Sequence, residues 1–401
     1  MITLEEIKSA KQRLHKVANQ TPVAYAPILS HKSEAEIFVK KENLQLTGSF
    51  KLRGAFNKIA KLTQQERDKG VVAASAGNHA QGVAFSSKYF GCDATIVMPE
   101  ATPLTKVSGV RSHGAQVILH GANYDEAYKF ATSYAQEHDK SFVHPYADED
   151  VIAGQGTVAL ELLEEIPDLD IIIVPIGGGG LITGIAAAAK LIKPEIKIVG
   201  VVASGARAMK ESFEAKKPID SLSVRTIADG IAVRDVIPKM FEYVLHYVDQ
   251  IVEVEDKEIA SAILFLLEQH KLVVEGAGAV GTAAVMHNKV DIKGQKVALI
   301  LSGGNIDVTM LAQIIEKGLV KSSRKINLQV TLIDKPGSLK MLTSIFEKLN
   351  ANIVQIDYDR DSVALDFGDA NVTIGLETKG KEHQDQIRAE LKTAGYRFQE
   401  I

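Results

Sequence analysis

Short apolar runs alternate with longer amphipathic stretches through most of the chain. Such runs are typical of strands that are buried on both faces of a parallel sheet. They lie at Val71–Ser75, Ala94–Met98, Gln116–Leu119, Ile171–Ile176, Ile196–Val202 and Val297–Leu301. Apolar residues at helical spacing predict amphipathic helices at Glu126–His138, Gly156–Glu165 and Ile259–His270. The alternation predicts an α/β fold whose strands are joined by right-handed crossovers.

The pattern changes after residue 320. Lys321–Lys325 is polar and charged, which predicts a linker at 321–326 between a first domain at 1–320 and a second at 327–401. The second domain is predicted as a βαββαβ module of ferredoxin-like type. Its strands are predicted at Asn327–Ile333, Ile353–Ile356, Ser362–Phe367, Val372–Leu376 and Tyr396–Gln399, and its helices at Leu339–Leu349 and His383–Ala394.

Composition narrows the class of protein. The net charge is −4, so no basic excess indicates nucleic acid or an anionic membrane as a partner. The single cysteine, Cys92, excludes an intramolecular disulfide and a cysteine-cluster metal site, and it fits a reducing compartment. The first residues lack the apolar core of a signal peptide, and no run is long and apolar enough to span a membrane. A cytoplasmic location is therefore expected.

Lys51 is the first candidate for chemistry. It follows the turn Gly48-Ser49-Phe50 and begins a predicted helix that continues through Ile59. A helix start favours anions, so a lysine there is poorly placed. The same positive field would help to keep a partly buried amine neutral and nucleophilic. A solvated helix lysine is the common alternative, and the segment alone is only suggestive.

Two loops follow predicted strands and precede predicted helices. Ser75-Ala-Gly-Asn-His79 offers backbone N–H groups at a helix start, which suits a carboxylate or an aromatic oxyanion, although an ordinary capped turn is equally expected. Gly177–Gly180 precede an alanine-rich helix at Ile185–Ala189 and predict a cup of bare N–H groups for a phosphate. No Gly-Lys-Ser/Thr follows, so this is not a Walker A loop.

Two further segments contain glycines. Ser302-Gly-Gly304 ends a strand, and its hydroxyl would suit a heterocycle nitrogen, with a simple helix N-cap as the alternative. Gly276–Gly281 is a literal G-x-G-x-x-G, which suggests a dinucleotide site and an NAD-dependent oxidoreductase. The acidic residue expected about twenty positions later is absent from that region. Close packing of a helix is the better interpretation of these glycines.

Together, in this order, the four segments that contain Lys51, Asn78, the tetraglycine and Ser302 resemble the fold-type II pyridoxal phosphate enzymes, specifically the threonine dehydratase and serine dehydratase/racemase group. The resemblance covers residues 5–320. It implies two open twisted α/β subdomains, with the smaller one, at residues 48–148, inserted in the larger. It also implies pyridoxal phosphate as the cofactor and a homodimer or homotetramer as the assembly.

The resemblance also assigns roles to residues of this sequence. Lys51 would hold the cofactor as a Schiff base and remove the substrate Cα proton, and Asn78 would hydrogen-bond the ring oxygen. Ser302 would face the pyridine nitrogen. The phosphate would be bound by Gly177, Gly178, Gly179, Gly180 and Leu181. The substrate carboxylate would be bound by Ser75, Ala76, Gly77, Asn78 and His79.

Two departures from the family pattern refine the expectation. Racemising relatives have a serine at the position of Ala76, and alanine has no proton to give, so racemase activity should be weak. Relatives with a divalent cation site have a glutamate at the position of Val202, and valine cannot ligate a metal. No Mg²⁺ or Ca²⁺ is therefore expected there.

The second domain, with Leu332-Ile-Asp-Lys-Pro-Gly-Ser-Leu339, resembles an ACT domain. Such domains bind amino acids between copies and pass the signal to the attached enzyme. One ACT copy is expected, with an amino acid or a nucleotide as the effector. A packing or oligomerisation module without an effector is the alternative.

The leading functional hypothesis is dehydration and deamination of L-threonine to 2-oxobutanoate and ammonia, with L-serine as a side substrate. The sequence leaves a biosynthetic role, in isoleucine biosynthesis, and a catabolic one equally open. An L-serine or 3-hydroxyaspartate dehydratase is the alternative within the class. A non-catalytic amino-acid sensor is the remote alternative, and the intact lysine, asparagine, tetraglycine and serine argue against it.

Overall fold

The computed structural model describes residues 1–361, 363 and 365–401. The chain divides into two compact units, Met1–Asp307 and Val308–Ile401. No helix among the described residues is long and apolar enough to cross a membrane.

The first unit is built on two sheets with helices between the strands. Its helices are α1 (Leu4–Leu14), α2 (Pro27–Ser33), α3 (Lys51–Lys61), α4 (Gln64–Lys69), α5 (Asn78–Phe90), α6 (Leu104–Arg111), α7 (Tyr124–Glu137), α8 (Glu149–Glu165), α9 (Gly180–Ile192), α10 (Ala208–Ala215), α11 (Pro238–Tyr247), α12 (Asp256–Phe265) and α13 (Gly276–Met286). Its strands are β1 (Val23–Tyr25), β2 (Glu36–Lys40), β3 (Val71–Ala74), β4 (Ala94–Met98), β5 (Gln116–Leu119), β6 (Ser141–Phe142), β7 (Ile171–Pro175), β8 (Lys197–Ala203), β9 (Gln250–Val254) and β10 (Lys296–Ile300).

The larger sheet has the order β1-β2-β10-β7-β8-β9, and the smaller has the order β5-β4-β3-β6. All neighbouring strands in both sheets are parallel except β1, which pairs antiparallel with β2. The α/β prediction is confirmed, and the six predicted strands correspond to β3, β4, β5, β7, β8 and β10. Because all neighbours in the smaller sheet and most in the larger are parallel, their carboxyl ends meet at one edge, where ligands bind in open α/β folds.

Four strands of the first unit were not predicted, namely β1, β2, β6 and β9. Three of the four are too short or too polar for an apolar-run criterion: β6 has 2 residues, β1 has 3, and β2 begins with Glu36 and ends with Lys40. Helix α8 also begins at Glu149, well before the predicted start at Gly156. Asp148 accepts hydrogen bonds from two amides of its first turn, and this cap defines the true start.

The glycine-rich segment Gly276–Gly281 forms the first half of α13. Residues Gly276–Val285 are buried, and a Cβ added at Gly278 would lie 2.7 Å from the carbonyl oxygen of Gly303. The prediction that these small residues pack a helix closely is therefore confirmed.

The second unit begins with a helix and continues as βαββαβ. Its elements are α14 (Val308–Lys321), β11 (Lys325–Ile333), α15 (Ser338–Lys348), β12 (Asn352–Asp359), β13 (Asp369–Glu377), α16 (Lys381–Thr393) and β14 (Arg397–Glu400). The sheet is antiparallel in the order β12-β13-β11-β14. Alternate residues of β11 are buried, and they pack with Leu342, Phe346 and Ile387 of the two helices.

Two details of the second unit differ from the predictions. The predicted linker at 321–326 contains the last residue of α14 and the first residues of β11. The stretch Ser362–Phe367 was predicted as a strand, but residues 363 and 365–367 lie in the connection between β12 and β13. Ser362 and Ala364 lie outside the described residues.

Candidate active site

Lys51 is the first residue of α3 and is partly buried. Its Nζ donates a hydrogen bond to the carbonyl oxygen of Pro145 at 2.8 Å and lies 5.4 Å from the centre of the Phe50 ring. Burial lowers the pKa of the Lys51 amine to about 8, although the carboxylate of Glu275 acts in the opposite direction. The site therefore contains an amine that is partly neutral near neutral pH and able to act as a nucleophile.

A buried charge network holds the start of α3. Arg53, which is 1% exposed, donates to both oxygens of Glu42 at 2.8 Å and to the two oxygens of Glu161 at 2.6 and 2.8 Å. Lys40 donates to Glu161 at 2.7 Å. Two cations and two carboxylates thus balance each other. Since Arg53 is two residues from Lys51, the network anchors the first turn of the helix that carries the reactive amine.

The Ser49–Gly303 region joins two of the predicted segments. Ser49 forms an isolated antiparallel bridge with Gly303, and the Phe50 N–H donates to the Ser302 carbonyl oxygen at 3.1 Å. Ser302 is 2% exposed, in the loop after β10. The predicted ring-nitrogen partner therefore lies beside the segment that carries Lys51.

The tetraglycine forms the turn between β7 and α9. Gly179 has φ +92°, a left-handed conformation that favours glycine, and it is the N-cap of α9. The first hydrogen bond of the helix runs from the Thr183 N–H to the Gly179 carbonyl oxygen at 2.9 Å. The amides of residues 180–182 precede that bond, so they have no partner within the helix. Such amides at a helix N-terminus suit a phosphate.

Tyr146 borders this cup, and sequence reasoning did not identify it. A Cβ added at Gly178 would lie 2.5 Å from the Tyr146 ring, and one added at Gly180 would lie 2.7 Å from the Tyr146 Cβ. Tyr146 directly follows Pro145, whose carbonyl oxygen accepts from Lys51. The tetraglycine and the lysine are therefore brought together by one short segment of chain.

The loop Ser75–His79 connects β3 to α5, which begins at Asn78. The Gly77 N–H donates to the Ser75 hydroxyl at 3.2 Å, and a Cβ at Gly77 would meet no heavy atom within 4 Å. Open space thus adjoins the N-terminus of a helix, where the first amides have no intrahelical acceptor. A carboxylate fits this position.

The side chain of His79 is enclosed. It is 2% exposed, and its Nε2 lies 2.8 Å from the Val143 carbonyl oxygen. Burial and the charge of Lys51 lower the pKa of His79 to about 3. Burial likewise lowers the pKa of His144 to about 4. Both imidazoles are neutral at physiological pH, so neither is a ready proton donor, and His79 offers a ligand its backbone amide.

Asn78 is held at both ends of its carboxamide. Its Nδ2 donates to the two oxygens of Glu275 at 2.8 and 3.0 Å, and its Oδ1 accepts from Asn305 Nδ2 at 2.7 Å. Glu275 and Asn305 were not predicted as site residues. Glu275 directly precedes the glycines of α13 in sequence, and an acidic residue before a helix of small residues was the signal available.

The position expected to exclude a metal ion, Val202, lies buried in β8. Within the part of the chain that the structure describes, no group of three or more His, Cys, Asp or Glu side chains has the arrangement of a metal site.

The chain is similar to several characterised proteins. A family model described as pyridoxal-phosphate dependent enzyme matches residues 15–303. A protein from Thermotoga maritima named L-threonine ammonia-lyase is 50% identical over 396 residues, which are 99% of this chain and 98% of that protein. The solved structure of the processed form of threonine deaminase isoform 2 from Solanum lycopersicum is 36% identical, with a TM-score of 0.75, and the match covers 78% of this chain and 86% of that one. Maize serine racemase is 36% identical with a TM-score of 0.75, over 80% of this chain and 98% of that chain.

Proposed function

The chain belongs to the pyridoxal-phosphate-dependent enzyme family, and on this premise we propose that it is an L-threonine ammonia-lyase. It converts L-threonine to 2-oxobutanoate and ammonia, with L-serine as a side substrate. The observation that carries the proposal is the 50% identity over nearly the full length to a protein of that name. The geometry at Lys51 supports the chemistry, because a partly buried amine with a lowered pKa lies beside a glycine cup.

The residues present fit pyridoxal phosphate. Backbone amides at the start of α9 suit its phosphate, and Thr183 Oγ1, in the first turn of that helix, is buried without a hydrogen-bond partner among the described residues. Ser49 Oγ, close to Lys51, is also buried and has no partner in the described chain. Buried hydroxyls of this kind are rare unless a ligand or water completes their hydrogen bonds. We infer that Gly177–Gly180 and Leu181 hold the phosphate.

When bound, pyridoxal phosphate supplies an aldehyde that condenses with amines and a conjugated ring that takes up electrons from the substrate Cα. Lys51 would attach the cofactor through its Nζ. Because burial lowers its pKa to about 8, part of the amine is neutral near neutral pH, and in that form Nζ would accept the proton from the substrate Cα. The Pro145 carbonyl oxygen, 2.8 Å from Nζ, holds the amine in position.

The other site residues orient the reactants. We infer that the free amides at the start of α5 bind the substrate carboxylate, through the loop Ser75–His79. Asn78 would donate to the ring oxygen, and its own orientation is set by Glu275 and Asn305. Ser302 would be a neutral partner for the pyridine nitrogen. A ring that is not protonated at this nitrogen would withdraw electrons less strongly, which favours prompt loss of the β-hydroxyl.

Elimination is favoured over racemisation. Ala76 is partly buried in the substrate loop and has no ionisable group, so the face opposite Lys51 lacks a proton donor at this position. The similarity to maize serine racemase concerns the sequence and the fold. We expect D-serine formation from L-serine to be much slower than release of pyruvate.

The substrate assignment is tested by keto-acid release from purified enzyme with L-threonine, L-serine and 3-hydroxyaspartate. The proposal expects the highest kcat/KM with L-threonine. Equal or better rates with L-serine would contradict it and would favour a serine dehydratase.

We further propose that the second unit is an ACT-type regulatory domain. The βαββαβ order and the antiparallel sheet β12-β13-β11-β14 support this assignment. An amino-acid or nucleotide effector, a homodimeric or homotetrameric assembly and a cytoplasmic location belong to the same proposal and remain predictions.

A further inference from the structure

Glu275 lies at the end of a hydrogen-bond chain that the roles above do not explain. The chain runs from the Thr47 carbonyl oxygen, which accepts from Asn305 Nδ2 at 2.9 Å, through Asn78 to the Glu275 carboxylate. We propose that Glu275 is a positioning residue: it fixes the carboxamide of Asn78 so that Asn78 can donate to the ring oxygen of the cofactor, and it places a negative charge near the Lys51 attachment. This inference rests on the proposed function.

Which atoms donate and which accept along this series of hydrogen bonds follows from the chemistry of the groups at its two ends. A carbonyl oxygen can only accept, so the Asn305 amide nitrogen faces Thr47 and also reaches Asn78 Oδ1. An ionised carboxylate also only accepts, so the Nδ2 of Asn78 faces Glu275. Thr47 and Glu275, at the two ends of the hydrogen-bond series, therefore specify one orientation of the Asn78 carboxamide. In the opposite orientation Asn78 Oδ1 would face the carboxylate oxygens of Glu275.

The Glu275 carboxylate is enclosed, and Gly303 lies directly against it. Glu275 is 4% exposed, its backbone N–H donates to the Gly303 carbonyl oxygen at 3.0 Å, and a Cβ added at Gly303 would lie 2.4 Å from Glu275 Oε1. Gly303 is thus a residue at which any side chain would displace the carboxylate. The contact with Glu275 therefore requires a glycine at this position of the Ser-Gly-Gly segment.

The charge of Glu275 points to function rather than to stability. No lysine, arginine or histidine of the described chain forms an ion pair with it, although Arg53 shows how a buried carboxylate elsewhere in this unit is neutralised. A buried carboxylate without a paired cation costs free energy, and a glutamine would serve a purely structural hydrogen bond better. The start of α13 offsets part of that cost through its dipole.

The charged groups that face Glu275 are few. Lys51 of α3 and Lys106 of α6 favour its charged form, and Asp229 opposes it. Burial, the largest influence, raises the pKa of Glu275 to about 7. The carboxylate is therefore mostly ionised at pH 8 and loses its charge as the pH falls through 7. A Schiff base at Lys51 carries a positive charge when protonated, and an ionised Glu275 stabilises that form.

The test compares holoenzyme of wild type, Glu275→Gln, Glu275→Asp and Asp229→Asn. Glu275→Gln keeps the shape and removes the charge, Glu275→Asp keeps the charge and moves it, and Asp229→Asn removes a neighbouring charge that does not contact Asn78. Pyridoxal phosphate affinity is measured at pH 8 by absorbance and fluorescence titration, and the visible Schiff-base band is followed between pH 6 and pH 9. Far-UV circular dichroism checks folding.

We expect Glu275→Gln to weaken cofactor affinity by about tenfold, because hydrogen bonds to charged groups contribute that much. Its visible band should also lose the protonated form at a lower pH than wild type. Glu275→Asp should weaken affinity and keep the wild-type titration. Asp229→Asn should keep wild-type affinity at pH 8, where Glu275 is already mostly ionised, because Asp229 has no hydrogen bond to Asn78. Wild-type affinity and titration in Glu275→Gln would overturn the inference. Should Glu275→Gln not fold, wild-type affinity in Glu275→Asp would overturn it.

A double-mutant cycle tests whether Glu275 acts on cofactor affinity through Asn78 or independently of it. In an Asn78→Ala background the charge change at Glu275 should alter affinity by less than about twofold, because coupled residues are not additive. An undiminished effect in that background would contradict the positioning role. None of these readouts uses threonine. Failure of the proposed function would instead appear in wild type, as absence of a visible band or of keto-acid release.

Discussion

The two units differ in whether charged side chains are buried in their cores. In the first unit, Lys40, Glu42, Arg53, Glu161 and Glu275 are all less than a tenth exposed. Among the described residues of the second unit no lysine, arginine, aspartate or glutamate is buried to that degree, and its core is aliphatic and aromatic. Buried charge is costly unless it is paired and oriented. The first unit accepts that cost where it positions Lys51 and Asn78, and the second unit has no comparable site in its core.

The largest expected effect is on catalysis, at Lys51. Lys51→Ala removes the amine that attaches the cofactor and accepts the Cα proton, so keto-acid release should fall by at least about a thousandfold. The measurement is kcat with saturating L-threonine and pyridoxal phosphate. Lys340→Ala, at an exposed lysine of α15, is the matched control and should keep wild-type kcat. Activity of Lys51→Ala within tenfold of wild type would show that another residue is the base.

The contrast in charge predicts a contrast in stability. Arg53→Ala leaves Glu42 and Glu161 without their main partner and should destabilise the first unit by about 3–5 kcal/mol. Arg388→Ala breaks pairs with Glu400 and Asp385 at the surface of the second unit and should cost within about 1 kcal/mol.

Urea unfolding of both variants measures these values, with one probe in each unit because the two units need not unfold together. Equal losses of unfolding free energy in the two variants would contradict the predicted difference between the buried and the exposed networks.

The pH dependence of cofactor binding follows from Lys51. Burial lowers the pKa of its amine from 10.5 to about 8, so the neutral, nucleophilic fraction grows as the pH rises through 8. The rate at which apoenzyme recombines with pyridoxal phosphate should increase severalfold between pH 7 and pH 9 and then level off. Stopped-flow absorbance measures it. A rate that keeps rising to pH 10 would indicate an amine with an ordinary pKa.

The smallest expected effect is regulatory and belongs to the second unit. Binding of an effector there should change the KM for L-threonine by about fivefold, the lower end of the usual range of allosteric coupling. Activity is measured against isoleucine, valine and AMP in the full-length enzyme. No response to any of the three would favour a packing or oligomerisation role for the unit.

The sequence predicted the elements whose signals are local. Four consecutive glycines after an aliphatic strand are visible without a structure, and the predicted strands at Ala94–Met98 and Gln116–Leu119 coincide with β4 and β5. Helix α14 was not predicted, and it belongs to the second unit although the predicted domain boundary follows it. The predicted strand at Ser362–Phe367 rested on apolar residues, two of which, Val363 and Phe367, are fully exposed.

The partners of the site residues were not predictable from the sequence in the same way. Asn78 and Glu275 are 197 residues apart, and Arg53 reaches Glu161 across 108 residues. Nothing in either local segment indicates its partner, because the pairing exists only once the two sheets have placed α3, α5, α8 and α13 together. Lys51 was identified from the residues next to it in the sequence. The distant groups that act on its pKa and position, such as Glu275 and Pro145, were identified only in the fold.

Covalent attachment of the cofactor to Lys51 is the central claim, and one measurement tests it directly. Holoenzyme is treated with borohydride, which makes a Schiff base permanent, and is then digested and mapped by mass spectrometry. The account predicts one phosphopyridoxyl group per chain, on the peptide that contains Lys51, and none on that peptide after Lys51→Ala. A label on a different lysine, or no label in wild type that binds pyridoxal phosphate, would contradict the account.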